Sequence, residues 1–85
     1  MTISNERADE VRAIFDPMVD ELIARARNAG IAPHEIAQIL LMNGAGLLSA
    51  TLGPKHAGFE LRMVAEVTST WIGQIADYYE ARGGH

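Results

Sequence analysis

The stretch 36–54 reads IAQILLMNGAGLLSATLGP and contains no charged residue. Projected on a helix at about 100° per residue, its aliphatic side chains cover one broad face and extend beyond it. The face consists of Ile36, Leu40, Leu47, Leu48 and Leu52, and Ile39 and Met42 extend it. A helix that is apolar nearly all round is buried or lies in a membrane. Because two flanking helices of a short chain cover only part of such a surface, we expect the rest to face a second copy of the chain.

The composition indicates a single domain, 1–85, that needs more burial than one copy provides. The chain has 85 residues, of which 48% are hydrophobic, and it has no cysteine. A chain this short buries roughly 60% of its unfolded surface, and it has neither disulfides nor thiolate ligands to add stability. Oligomerisation is the remaining source of burial, so we predict a homodimer.

The charge balance disfavours two classes of partner. The formal net charge is −4, and Lys55 is the only lysine. Non-specific nucleic-acid binding and attraction to anionic lipids both require basic surface. Polar residues and glycines also dilute the stretch 36–54 as a membrane span. We therefore expect no nucleic-acid partner, no membrane partner and, since the polar start MTISNERADE is unlike a signal peptide, a cytoplasmic protein.

Periodicity and capping signals predict an all-α fold. We expect an antiparallel three-helix bundle with helices at about 4–29, 33–52 and 55–81 and a disordered tail at 83–85. Gly30 and Gly53-Pro54 mark the two turns.

Two positions leave the course of a helix open. The apolar stripe of the first helix continues in phase across Pro17, which predicts one helix kinked there, whereas Asp16-Pro17 would also start a new helix. In the second helix, Asn43-Gly44 is a turn dipeptide, so a break there is the alternative to a continuous helix.

Small residues on the second helix predict close contact with another backbone. Ala45 and Ser49, like Gly46 and Ala50, are small pairs one turn apart. Trp71, central in the third helix, is expected in the core or at the dimer seam. The predicted oligomer interface consists of Gln38, Met42, Ala45, Gly46, Ser49 and Trp71.

A second surface is predicted to bind a separate protein partner. It combines acidic residues of the first helix with two apolar residues that point away from the main stripe of the third helix. An acidic face complements a basic partner, and an exposed apolar patch usually marks an interface. The residues are Asp9, Glu10, Asp16, Asp20, Ile72 and Tyr79.

The segment 26–39, ARNAGIAPHEIAQI, resembles the helix-turn-helix motif of DNA-binding regulators. Ala26 falls where the motif has a small residue, Gly30 falls at its turn, and apolar residues occupy its buried positions. The resemblance implies that the second helix would enter the major groove. A helix that reads bases presents Arg, Lys, Asn or Gln to the base edges, but here Gln38 is followed by three large apolar residues. A DNA-binding regulator is therefore an alternative function.

No constellation of residues indicates catalysis or cofactor binding. Ser49 and Thr51 are nucleophiles by type only, since no base accompanies them at a fixed spacing. His34-Glu35 lacks the second histidine of a metalloprotease motif, and His56 and Glu60 are a bare pair. We expect no catalytic residue, no metal and no cofactor, with a small helical-bundle enzyme or cofactor carrier as another alternative. The predicted function is a non-enzymatic, homo-oligomeric interaction module that binds and regulates another protein.

Overall fold

Glycine and proline residues set where the helices begin and end. The computed structural model describes residues 5–83, with side-chain exposures from residue 6 onward. This part of the chain is all-helical, with α1 (Asn5–Asn28), α2 (Pro33–Leu52), α3 (Pro54–Thr70) and α4 (Ile72–Ala81). The all-α class is therefore confirmed, but the predicted count of three helices is wrong. Residue 4, the predicted start of the first helix, and residues 84 and 85 of the predicted tail lie outside the described residues.

α1 continues through its internal proline. Pro17 lies inside one helix of 24 residues, so no new helix starts at Asp16-Pro17. Proline has no N–H, and its ring crowds the carbonyl four residues earlier, here that of Ala13. The kink at Pro17 stays a prediction.

The corner between α1 and α2 is closed by local hydrogen bonds. The Gly30 N–H donates to the Arg27 carbonyl at 2.9 Å, and the Ile31 N–H donates to the Ala26 carbonyl at 3.1 Å. These two bonds define a Schellman motif with glycine at the left-handed position, and Gly30 has φ 86°. Gly30, which the sequence predicted at this turn, thus adopts the left-handed conformation.

α2 starts with half of a capping box. The Ile36 N–H donates to the Ala32 carbonyl at 3.1 Å, which makes Ala32 the N-cap residue. The Ala32 N–H in turn donates to the Glu35 carboxylate at 3.2 Å. In a capping box, the side chain of the third helical residue accepts this hydrogen bond from the N-cap N–H. Ile31 and Ile36 then occupy the two positions of a hydrophobic staple, and α2 runs without a break through Asn43 and Gly44.

A single glycine joins α2 to α3. The Gly53 N–H donates to the Ser49 carbonyl, while its own carbonyl accepts from the Ala57 N–H, both at 2.9 Å. Gly53 has φ 84° and is followed by Pro54 at the first helical position. The residue therefore ends one helix and caps the next, and its positive φ requires glycine.

The helix predicted for 55–81 is divided at Trp71. Trp71 has φ −106° and ψ 21° and belongs to neither α3 nor α4. Just before it, the Thr70 hydroxyl donates to the Glu66 carbonyl at 2.9 Å, a side-chain bond that often bends helices. Gly73 follows closely and lowers helix propensity further. At the far end of α4, the Gly83 N–H donates to the Glu80 carbonyl at 2.9 Å.

The chain divides into two units of local contacts, Met1–Leu41 and Met42–His85. In the described part of the first unit, α1 and the start of α2 make no helix–helix contact beyond their corner. In the described part of the second unit, the helices in contact are α3 and α4, which are consecutive. The prediction of a single domain 1–85 stays a prediction.

Candidate interaction surface

Among the described residues, the buried ones lie next to the α1–α2 corner and the α2–α3 corner. Among the described residues, Ile36 at 6% exposure and Ala57 at 3% are the buried hydrophobic residues. Each is the fourth residue of its helix, directly after a cap. Most of the large apolar side chains of the four helices are exposed, so the candidate functional site is a set of helix surfaces.

α2 exposes apolar side chains in several directions. Leu41 is 73% exposed, Met42 and Leu47 are each 68% exposed, and Ile39 is also exposed. At about 100° per residue, no two neighbours in this set are closer than about 60° around the helix axis. The exposed apolar side chains of α2 therefore point in directions all round the helix, as expected. Covering these side chains requires other helices on more than one side of α2.

The α2 residues of the predicted oligomer interface share one arc. Gln38, Met42, Ala45, Gly46 and Ser49 fall within about 100° around the helix. Ala45 and Ser49 are half-buried, and the other three are exposed. A Cβ atom added at Gly46 would meet nothing within 4 Å. No close approach within the described chain therefore explains this glycine, which lowers helix propensity by about 1 kcal/mol.

Trp71, the remaining residue of the predicted interface, lies on a different surface. It is 53% exposed and continues an apolar face of α3. We call this the α3 face, which consists of Phe59, Met63, Val64, Val67 and Trp71. Each member is about half exposed.

A comparable stripe runs along α1. It consists of Val11, Ile14, Phe15, Met18 and Leu22, all exposed. The helical spacing of these residues places them on one side of α1, as it places the α3 face on one side of α3.

The predicted acidic partner surface is partly neutralised by its own helix. Asp9 pairs with Arg12 at 2.7 Å, and Glu10 pairs with Arg7 at 3.5 Å. Asp16 and Asp20 are half-buried. The four carboxylates also do not share one side, because Glu10 lies about 100° from the mean direction of the other three.

The two apolar residues of the predicted partner surface differ in exposure. Ile72 is exposed and Tyr79 is half-buried. The Arg82 guanidinium lies 5.7 Å from the Tyr79 ring centre and 5.4 Å from that of Tyr78. Such a cation–π contact covers part of the aromatic surface, so Ile72 is the more accessible member.

The remaining candidates from the sequence are the metal-ligating side chains and the segment that resembles a helix-turn-helix. No group of three or more metal-binding side chains occurs among the described residues. Glu35 of the segment that resembles a helix-turn-helix is held in the α2 cap by the Ala32 N–H, which directs its carboxylate to the backbone.

α2 also meets the length and composition of a membrane span. Pro33–Leu52 has 20 residues, a mean hydropathy of 1.2 in its most apolar window, and 6% of that window is buried. Buried core helices of other proteins pass the same test, but they are mostly buried, and α2 is not.

Comparison with known protein families, with curated proteins and with solved structures finds no match. The exposed helix surfaces are therefore the features that indicate what the protein does.

Proposed function

We propose that this chain is a non-enzymatic helical interaction module, resident in the cytoplasm, that completes its hydrophobic core with a second copy of itself. The observation that supports the proposal is a contrast between composition and burial. Hydrophobic residues make up 48% of the chain, but only two of them are buried in the part that the structure describes. A water-soluble chain with this composition has to cover its apolar side chains by association.

The exposed area has the magnitude that an obligate dimer requires. The chain exposes 6941 Å², against about 4,900 Å² expected for a folded monomer of this mass. The excess of about 2,000 Å² per chain corresponds to about 4,000 Å² in a dimer. Obligate homodimers bury about 2,000–5,000 Å² in total.

Helix stability leads to the same proposal. Isolated helices shorter than about 12–15 residues are marginal in water, and most helical stability in proteins comes from packing an apolar face. α4 has 10 residues, and α1 contains a proline. With so little packing inside the described chain, the helices depend on contacts that association supplies.

In this proposal the predicted antiparallel bundle forms between copies. The α2 arc formed by Gln38, Met42, Ala45, Gly46 and Ser49 lets two α2 helices approach closely, since small residues allow short interaxial distances. Each copy then covers apolar side chains of the other copy's α2.

The regulatory part of the proposal concerns a separate protein partner. Asp16 and Asp20 on α1 are the acidic residues that we propose contact this partner, and Ile72 on α4 is proposed as a separate exposed apolar contact. An acidic face suits a basic partner. Exchange of Asp16 and Asp20 for lysine should abolish capture of that partner while leaving the mass of the module unchanged, and unchanged capture would remove this part of the proposal.

Sedimentation equilibrium over a range of protein concentrations tests self-association. We expect a dimer at low micromolar concentration, with helical circular dichroism falling on dilution as the dimer dissociates. A monomer that keeps its helix content at every concentration would refute the proposal. Co-sedimentation with liposomes would instead indicate membrane insertion of α2, and DNA binding that weakens steeply with salt would favour the helix-turn-helix alternative.

A further inference from the structure

The α3 face is an unpartnered apolar surface with a symmetric pattern. Its members lie within about 140° around the helix and span about 18 Å along it. Phe59 and Trp71 are each six residues from position 65, and Met63 and Val67 are each two residues from it. An antiparallel helix centred on that position therefore brings Phe59 level with Trp71 and Met63 level with Val67, while Val64 lies level with Glu66.

We infer that the α3 face is covered by the same face of a second copy, with the two α3 helices antiparallel and centred near residue 65. This inference rests on the proposed self-association and names the surface that α3 contributes. A two-fold axis gives such a self-complementary, isologous contact.

Charge at the edge of the face supports a second copy as the occupant. Arg62 and Glu66 lie side by side on one flank, and they form no ion pair with each other in the described chain, unlike Arg25 and Glu21, which pair at 2.7 Å. With the antiparallel arrangement, Arg62 of one copy lies within about 3 Å, along the helix axis, of Glu66 of the other. The two-fold axis repeats this pair.

The charge also disfavours a lipid surface as the occupant. Amphipathic helices at membrane interfaces carry an excess of Lys and Arg on the polar side. The polar side of α3 carries Lys55 and Arg62 against Glu66, and the whole chain has a net charge of −4. Half-buried Glu60 falls inside the arc of the α3 face, between Val67 and Trp71. An anionic bilayer would repel this protein.

Trp71 is the only tryptophan, so its fluorescence reports on the α3 face alone. It is 53% exposed in the single chain. We expect its emission to move to shorter wavelength, and its quenching by iodide to fall, over the same concentrations at which sedimentation shows the dimer forming.

A matched pair of substitutions locates the contact. Val67→Glu places a carboxylate on the α3 face, whereas Ala65→Glu places one on the opposite side of the same helix. Both positions are exposed, so neither change removes a contact within the chain. We expect Val67→Glu to weaken the dimer by roughly a hundredfold and Ala65→Glu to leave its Kd within about twofold.

Charge exchange tests the antiparallel arrangement. Arg62→Glu and Glu66→Arg should each weaken the dimer by roughly five- to tenfold, and the double exchange should restore it. A dimer whose Trp71 emission stays constant and which tolerates Val67→Glu would overturn the α3 contact while leaving the proposed function intact. A protein that is monomeric at every concentration would overturn both.

Discussion

Gly46 offers the sharpest test of the small-residue arc on α2. Gly46 and Gly44 are both interior residues of α2, and an added Cβ at either meets nothing within 4 Å in the chain. Replacing an interior helical glycine by alanine stabilises the helix by about 1 kcal/mol. Judged from a single chain, the two replacements should therefore have equal and favourable effects.

A second α2 packed against the arc changes the sign at one of the two positions. Gly46 lies inside the arc with Ala45 and Ser49, while Gly44 lies about 160° around the helix from Gly46. A methyl group at Gly46 separates two backbones that approach there, and overpacking of this kind costs about 1–3 kcal/mol. Gly46→Ala should therefore produce a net loss of stability, whereas Gly44→Ala should produce a gain of about 1 kcal/mol.

Thermal unfolding at a fixed protein concentration measures the difference. One kcal/mol corresponds to about 4–8 °C in Tm for a domain of 60–100 residues. Gly44→Ala should raise Tm by that amount, and Gly46→Ala should lower it and raise the dimer Kd in sedimentation. If both variants gain equally, α2 does not self-associate through Gly46, and the predicted interface residues on α2 are wrong.

Three further substitutions, two of them with a control variant, test the helix ends and the proline. Gly30→Ala should lower stability by about 1–2 kcal/mol because the φ of 86° at this position is costly for a residue with a Cβ. The control Gly58→Ala lies in the interior of α3 with open space around it and should raise stability by about 1 kcal/mol. Equal Tm values for the two variants would contradict this prediction. Pro17→Ala should stabilise α1 by up to about 3 kcal/mol, seen as increased helical circular dichroism, and unchanged helicity would show that the proline costs α1 nothing. Glu35→Ala should cost about 0.5–1.5 kcal/mol in urea unfolding through loss of the acceptor for the Ala32 N–H, and Glu35→Gln, which keeps an acceptor, should recover most of it.

Local signals were sufficient to predict the helix corners. Gly30 and Gly53 both adopt positive φ, a conformation that glycine adopts without steric cost, and a proline follows each of them within three residues. The corners depend on residues close together in the chain, so they could be found without knowledge of any distant contact.

The sequence did not predict the division at Trp71, because the residues that weaken the helix there lie within an uninterrupted helical spacing of apolar residues. Thr70 and Gly73 both weaken a helix, and the Thr70 hydroxyl bonds to the Glu66 carbonyl. The period nevertheless continued from Val67 through Trp71 to Ile75, which favoured one long helix. The Ile75 N–H still donates to the Trp71 carbonyl at 3.0 Å, so only a short interruption separates α3 from α4.

What covers an apolar face could not be predicted, because periodicity describes one helix and coverage depends on its neighbours. The pattern of α2 showed that its side chains require burial, and two flanking helices were expected to supply part of it. In α2 as described, Ile36 is the one buried residue.

The two buried positions also bear on the proposed self-association. Each follows a cap by four residues, so the burial inside one copy serves to orient consecutive helices at their corners. Helices oriented in this way expose their apolar faces without internal partners, and a second copy presents the same faces to them. A bilayer would cover α2 alone and would leave the exposed stripes of α1 and α3 in water, whereas a dimer can cover all three. The extent of the exposed apolar surface, beyond α2, therefore favours protein self-association over membrane insertion.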